Sequence, residues 1–288
     1  MVWFLIILNM TGIVFINQEF FDAADAKISV FDRGFLFADS IYEVIPVYDG
    51  RICFMERHLK RLLGNLKKAL IPVPQIDFKS VFQELIHLNG GGNLQLYLQV
   101  TRGNEGLRKH NIPQGLTPSV IAFTQHSPYP TLKDKERGLR IKLVKDTRGL
   151  LCDIKTTALF ANILLNHDAV ASGADTAILV RNGFITEGSS SNVFIVTQQD
   201  KIITPPLDHL CLPGITREVI LELLASLRLP FSEEKIKKDA LLQAKEVWIT
   251  STTKEIFPVS HINKIPLNQG NRGSLWRLIN DKYLELLQ

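Results

Sequence analysis

At 288 residues, with 45% apolar and 22% charged residues, the chain has the composition of an ordinary globular protein of one or two domains. A chain of this length buries a large core without staples. The formal net charge of +4 is small and the basic residues are interspersed with acids, which argues against a nucleic-acid partner.

The three cysteines, Cys53, Cys152 and Cys211, are odd in number and far apart. No metal-ligand spacing appears and no disulfide framework is implied, so a reducing compartment, the cytoplasm, is the expected home. Cys152 stands close to Lys155 but reads as a small buried side chain rather than a reactive thiol. The apolar run Val2 to Leu8 is too short to span a bilayer, and it lacks the basic start and cleavage site of a signal peptide. It is expected to be an upstream extension, with Met10 as the working start.

Val14 to Asn17 reads as a short strand. Ile41 to Tyr48 is a strand carrying Tyr42 and Glu43 and closed by Asp49-Gly50, with Pro46 marking an edge or bulge. From Met55 to Leu70, Leu59, Leu62, Leu63, Leu66 and Leu70 recur at helical spacing, and Pro72 and Pro74 stop the helix. Phe78 to Leu88 is a second helix, broken by Gly90-Gly91-Gly92. Leu94 to Arg102 and Ser119 to Thr124 are strands. Residues 1–125 thus form a smaller N-terminal α/β domain. Residues 126–138, polar and with prolines at 128 and 130, are the expected linker to a larger domain at 139–288. There, Arg140 to Val144 is a strand, and Thr156 to Ala171 a helix with Phe160, Ile163, Leu164 and Val170 on one face. Thr176 to Val180 and Phe184 to Thr186 flank Asn182-Gly183, a hairpin signal. Asn192 to Thr197, Ile202 to Thr204 and Val247 to Thr250 are further strands, and Gly214 opens a helix over Ile215 to Leu227. Strands and helices mix without strict βαβ alternation, so the class is α+β.

Several residues offer chemistry. Lys155 lies among apolar neighbours, as an amine that must add to a carbonyl requires, although context alone suits a snorkelling helix-start lysine better. Glu187 follows a strand and precedes Gly188-Ser189-Ser190-Ser191-Asn192. A carboxylate there can face a pyridine nitrogen, or simply serve a turn. Ser190, Ser191 and Asn192 offer hydroxyl and amide groups that bind phosphate or only turn the chain. Gly214-Ile215-Thr216 opens a helix whose amides favour an anion. Ser251-Thr252-Thr253 is a further hydroxyl cluster at a strand end.

Asp32-Arg33-Gly34 with Phe37, Asp39 and Tyr42-Glu43, then His58 to Leu62, resemble the N-terminal signature of the fold-type IV pyridoxal-phosphate enzymes, the class IV aminotransferases. Asp153-Ile154-Lys155, Thr186 to Asn192, Gly214 to Arg217 and Thr250 to Thr253 resemble the C-terminal one. The resemblance implies two domains with the active site in the cleft between them, and pyridoxal 5'-phosphate held as a Schiff base on Lys155, the catalytic residue. It also implies Glu187 on the pyridine nitrogen, Leu212 against the ring, and Arg61, Gly214, Ile215, Thr216 and Thr252 around the phosphate.

Arg108-Lys109-His110 is similar to the carboxylate trap of the D-amino acid aminotransferase branch. That similarity implies that Tyr42, Arg108 and His110, with Thr253 nearby, bind substrate, and that the loop reaches in from a second copy in a homodimer. Read without it, the segment is a solvated basic turn. The expected reaction is transamination between a D-amino acid such as D-alanine and a 2-oxo acid such as 2-oxoglutarate, with no metal and no membrane partner. The rivals on the same scaffold are a pyruvate-releasing aminodeoxychorismate lyase and an L-branched-chain aminotransferase. Lys155-Thr156-Thr157 in place of a Lys-His-Leu text favours transamination over the lyase. A cofactor-binding protein without turnover is the alternative of a different class. The family usually has glycine where Ala38 and Ser40 stand, and a polar residue at Pro46, which bears on substrate range.

Overall fold

A computed structural model of the chain describes residues 12–126, 128–268 and 273–287. The apolar run before Met10, and Met10 itself, lie outside the described residues. The chain divides into two units, Met1–Ser127 and Pro128–Gln288.

In the first unit β1 (Ile13–Ile16) and β2 (Glu19–Asp22) form a hairpin. The short α1 (Arg33–Phe37) is capped by Asp32, which accepts the Gly34 amide at 2.8 Å. It leads into β3 (Ser40–Tyr48), the Asp49-Gly50 turn and β4 (Arg51–Ile52). Then come α2 (Met55–Lys68), α3 (Phe78–Leu88), β5 (Leu94–Thr101) and β6 (Ser119–His126). The strands form one antiparallel sheet in the order β2-β1-β6-β5-β3-β4. In the β3–β5 register, Ile41, Ile45 and Val47 stand opposite Val100, Leu96 and Leu94, and all six are buried. Leu62 and Leu66 of α2 and Phe82 and Leu85 of α3 are buried too. Each such side chain contributes about 1.5–3 kcal/mol. The two-residue period places Tyr42 on the other face of β3, where its ring stacks on Tyr97 at 5.8 Å, and Tyr97 stacks on Phe123 at 4.7 Å.

The second unit begins with α4 (Leu132–Arg137), inside the stretch expected to be a connector. Thr131 and Asp134 form a capping box. The buried Lys135 ammonium donates to Glu255 and Asn280, each at 2.5 Å, which ties α4 to the body of this unit. Then follow β7 (Leu139–Lys145), α5 (Phe160–Ala171), β8 (Thr176–Arg181), β9 (Phe184–Gly188), β10 (Asn192–Val196) and β11 (Ile202–Thr204). The remaining elements are α6 (Ile215–Ser226), β12 (Phe231–Glu233), α7 (Lys238–Leu242), β13 (Glu246–Ser251), β14 (Glu255–Ile262), β15 (Ile265–Pro266) and α8 (Ser274–Glu285). Among the described residues the strands make a mixed sheet, β12-β11-β10-β13-β14-β7-β8-β9, with β15 on β14. Ile141, Ile178, Ile185, Val193, Ile249 and Phe257 belong to its buried core. Asn182 (φ 51°) and Gly183 (φ 81°) make the two-residue hairpin between β8 and β9. No helix among the described residues is long and apolar enough to cross a membrane.

Two expectations need correction. The helix expected from Thr156 begins only at Phe160, because the Thr156 and Leu159 amides donate two residues back, to Ile154 and Thr157, at 2.9 and 2.7 Å. Lys155 therefore sits on an irregular segment, not at a helix start. Nor do Phe160, Ile163, Leu164 and Val170 face the core: they are exposed, and Leu165 and Ala169 pack instead against Ala177 and Leu179.

Ala38 ends α1 in the left-handed region (φ 54°, ψ 29°). A Cβ there is strained. Ala38→Gly is expected to raise stability by up to about 1 kcal/mol, read as an upward shift of the urea midpoint. A lower midpoint would contradict this account of the position.

Candidate active site

In the second unit the strand ends β7, β8 and β9 deliver a chain of buried charges. Asp146 follows β7 and accepts from Arg148 Nε at 3.1 Å and Nη2 at 3.0 Å, from Arg181 at 3.1 Å and from the Thr186 hydroxyl at 2.9 Å. Desolvation opposes its ionisation, but the Arg148 hydrogen bonds and charge prevail and hold the carboxyl at about 2. The other Arg148 nitrogen, Nη1, donates to Glu187 Oε1. Glu187 Oε2 accepts the Leu212 amide at 3.0 Å. Burial pushes the Glu187 carboxyl up, and the Arg148 guanidinium pulls it the other way. Burial likewise raises the nearby Cys211 thiol to about 12, so that cysteine stays protonated. All three cysteines are free.

Of the residues singled out in this unit, Leu212 meets Glu187 directly and Asn192 meets Leu212. Arg148 Nη2 reaches the Leu210 carbonyl at 3.2 Å, and the Cys152 amide donates to His209 at 2.9 Å. The loop carrying Lys155 is thereby tied to the segment carrying Leu212. Asn192 donates to the Leu212 carbonyl at 2.8 Å and stands opposite Thr250 in the β10–β13 register. A methyl at Gly214 would overlap the Asn192 side-chain oxygen, so glycine lets α6 start against Asn192. The Ser191 carbonyl accepts the Gly188 amide at 2.6 Å, closing the serine loop, while Ser190 is exposed. Thr252 and Thr253 are half-buried in the turn after β13, where Ser251 and Thr253 hydroxyls lie 3.4 Å apart. Lys155 is half-buried.

This end of the unit suits an anion. Among the described residues no side chain caps α6, so its first amides, at Ile215 and Thr216, keep donors that the helix cannot use. Among the described residues the buried Thr250 hydroxyl has no hydrogen-bond partner, at a strand end that leads into Thr252. A group carrying both a phosphate and a basic ring nitrogen fits this donor set, with its nitrogen directed to Glu187.

In the first unit Arg61 is held by Glu43, with Nε at 2.8 Å from Oε1 and Nη2 at 2.7 Å from Oε2. His58 Nδ1 is 2.8 Å from the same carboxylate. Glu43 is fully buried, yet Arg61 and His58 overcome the desolvation and lower its carboxyl to about 2. Arg108 and His110 lie together over Phe37 of α1, at 5.3 Å each, and both are exposed in the chain. Tyr42 is held by a different contact, its stack on Tyr97. The Ser40 hydroxyl accepts from Gln99 at 3.0 Å, and Gln99 accepts from Tyr97.

Sequence reasoning missed Asp146, Arg148 and Arg181, and assigned no task to Glu43, Arg33 or Phe37. The Asp-x-Arg spacing at 146–148 is a common pattern, and nothing in it announces burial.

The model of the amino-transferase class IV family matches residues 40–262. The chain belongs to that family. Its relatives include a D-alanine aminotransferase of Bacillus licheniformis, 38% identical over 91% of this chain and 92% of the relative. A D-alanine aminotransferase of Staphylococcus epidermidis is 35% identical over 96% and 98%. Among solved structures, the branched-chain amino acid aminotransferase of Escherichia coli has the same fold, with a TM-score of 0.88, 23% identity and coverage of 96% of this chain and 95% of that one.

Glu43 gives this aminotransferase a measurable acid limit. Its folded value is about 2 against an ordinary 4.5, so its stabilising contribution is fully present above pH 4.5 and is lost as pH falls toward 2. The stability gap between the native protein and Glu43→Gln should therefore be widest above pH 4.5 and close toward pH 2, measured by urea unfolding across that range. A gap that persists unchanged at pH 2 would contradict this.

Proposed function

We propose that the protein is a pyridoxal 5'-phosphate-dependent aminotransferase that exchanges the amino group of a D-amino acid of the D-alanine type with a 2-oxo acid such as 2-oxoglutarate. The observation that carries the cofactor is Glu187, a buried carboxylate held in place by Arg148 and the Leu212 amide beside an uncapped helix start. The D-alanine preference rests on the D-alanine aminotransferases among the relatives, at 34–38% identity, and on the Arg108–His110 pair.

When bound, the cofactor supplies an aldehyde that captures the substrate amine and a protonated ring that withdraws electrons from Cα. The chain's residues do the rest. Lys155 would hold the aldehyde through its amine and would carry the proton that leaves Cα and is returned. Glu187 would keep the ring nitrogen protonated, and Leu212 would lie against the ring. Gly214, Ile215 and Thr216 would receive the phosphate at the start of α6, with Thr252, Ser190, Ser191 and Asn192 as further polar groups and Arg61 as a cation for it. Tyr42, Arg108 and His110, with Thr253, bind the substrate carboxylate. Guanidinium suits that group through paired donors. Arg108 and His110 are exposed in the single chain, which suits service to the site of a second copy, and the active form is taken as a homodimer.

The test is substrate choice. Incubated with 2-oxoglutarate, the protein should form glutamate from D-alanine and far less from L-leucine. No glutamate from D-alanine would sink the reading. Turnover of L-leucine alone would point to the branched-chain activity, and pyruvate from aminodeoxychorismate to the lyase. Lys155→Ala should remove the visible absorption of protein-bound cofactor.

A second prediction concerns Arg148. Arg148→Met leaves Glu187 and Asp146 buried without their shared cation, which pushes the Glu187 carboxyl further up. The cost is about 3–5 kcal/mol of stability, together with weaker retention of pyridoxal 5'-phosphate by the apoprotein. Urea unfolding and a fluorescence titration measure the two. Unchanged cofactor affinity would remove Arg148 from the site.

A further inference from the structure

Asp32, Arg33, Gly34, Phe37 and Asp39 carry much of the family signature, yet the proposed reaction gives them no task. We infer that α1 and its flanks are the positioning element for the loop 104–116: Arg33 and Phe37 set where Arg108 and His110 stand, and so set the affinity for a substrate α-carboxylate. This deepens the proposed function and rests on Arg108 and His110 being carboxylate ligands.

The geometry is that of a clamp. The Arg33 side chain is 4% exposed. Its Nη1 donates to the Lys109 carbonyl at 2.6 Å and to Glu105 at 3.1 Å, and its Nη2 to the His110 carbonyl at 3.4 Å. These two carbonyls sit at and next to the residues that bear the ligand side chains, so one guanidinium fixes both. Its Nε is held by Asp39 at 2.9 Å, and Asp39 is held in turn by Arg102 at 2.6 and 2.8 Å. Arg102 is itself anchored on the Ala69 and Leu70 carbonyls at 2.8 and 2.5 Å.

Phe37 supplies the surface. Arg33 Cζ lies 4.9 Å from the ring centroid, Arg108 Cζ 5.3 Å, and the His110 ring 5.3 Å at a tilt of 56°. The ring face attracts the guanidinium, while Asp39 and Glu105 neutralise Arg33, so that it does not repel Arg108. The loop stem is fixed as well. The Arg33 amide donates to the Gly103 carbonyl at 2.9 Å, and Gly103, at φ 105°, runs so close to the Thr117 carbonyl that no side chain fits. Asp32 accepts from Thr101 at 3.0 Å and Ser119 at 2.7 Å, joining both strand ends that bound the loop.

The experiment uses the holoenzyme with D-alanine as the varied substrate. Arg33→Lys keeps the charge but has no fork to span two carbonyls. Phe37→Leu keeps bulk but loses the ring. Both should raise KM roughly ten- to a hundredfold with a much smaller change in kcat, and Phe37→Tyr, which keeps the ring, should return KM to near the native value. Amide hydrogen exchange over 104–116 should quicken in Arg33→Lys and stay unchanged in the sheet, a readout that needs no turnover. Arg108→Gln, run alongside, separates the two levels. If it raises KM while Arg33→Lys and Phe37→Leu leave KM and loop exchange at native values, the positioning inference is overturned and the carboxylate reading stands. If Arg108→Gln itself leaves KM unchanged, the carboxylate reading falls and this inference falls with it.

Discussion

A carboxylate removed from water stays charged only where cations share its desolvation, and this chain meets that condition repeatedly with arginine. Asp146 sits between Arg148 and Arg181, Glu43 between Arg61 and His58, and Asp39 between Arg33 and Arg102. Removing each ion from water costs several kcal/mol, and an apolar cluster of the same volume would often be at least as stable. What these clusters provide is a fixed direction for each donor and acceptor. A guanidinium pinned by a carboxylate on one side presents its remaining edge at a defined angle.

In the second unit that direction organises four separate segments. The loop after β7 supplies Asp146 and Arg148, the end of β8 supplies Arg181, β9 supplies Thr186 and Glu187, and the segment before α6 supplies the Leu210 carbonyl and the Leu212 amide. None of these contacts is local in sequence except that of Asp146 with Arg148. Once they form, the Lys155 loop and the Leu212 segment have little freedom relative to Glu187. The positioning is built from strand ends because a sheet edge holds backbone to fractions of an ångström, while the loops carry the chemistry.

The elements legible in the sequence were those with a period or a punctuation mark. The leucines of α2, the glycines after α3 and Asn182-Gly183 all signalled through local chemistry, and each element lies where that chemistry placed it. α5 shows where local reading fails. Its apolar residues suggested one packed face, but the residues that pack, Leu165 and Ala169, are chosen by the shape of β8 beneath them. Its start was misread because Thr156 and Thr157 have no strong helix-breaking signal, and the tight turns that displace the helix are set by the tethered loop. α4 read as a polar connector because its one buried charge, Lys135, looks like any surface lysine until Glu255 and Asn280, more than a hundred residues away, are brought to it. The candidate site divides in the same way. Lys155, Glu187 and Gly214 stand out in the sequence as candidates through their motif words, whereas Arg148 and Arg33 are defined by partners distant in sequence.

The choice between arginine and lysine across these positions follows from proton affinity. A guanidinium does not lose its proton in a protein, and at Arg148 the Asp146 and Glu187 carboxylates outweigh burial and hold that proton more tightly still. An amine titrates, and burial alone pushes it toward neutrality. At Lys135 burial lowers the ammonium's proton affinity and Glu255 opposes the change, which suits a structural cation. A lysine that must add to an aldehyde needs the opposite: a setting in which the neutral amine is within reach. Arg148 meets no such need, being committed to both Asp146 and Glu187. Arg148→Lys would therefore put a titratable cation beside Glu187 and would lose the paired donors that span both carboxylates.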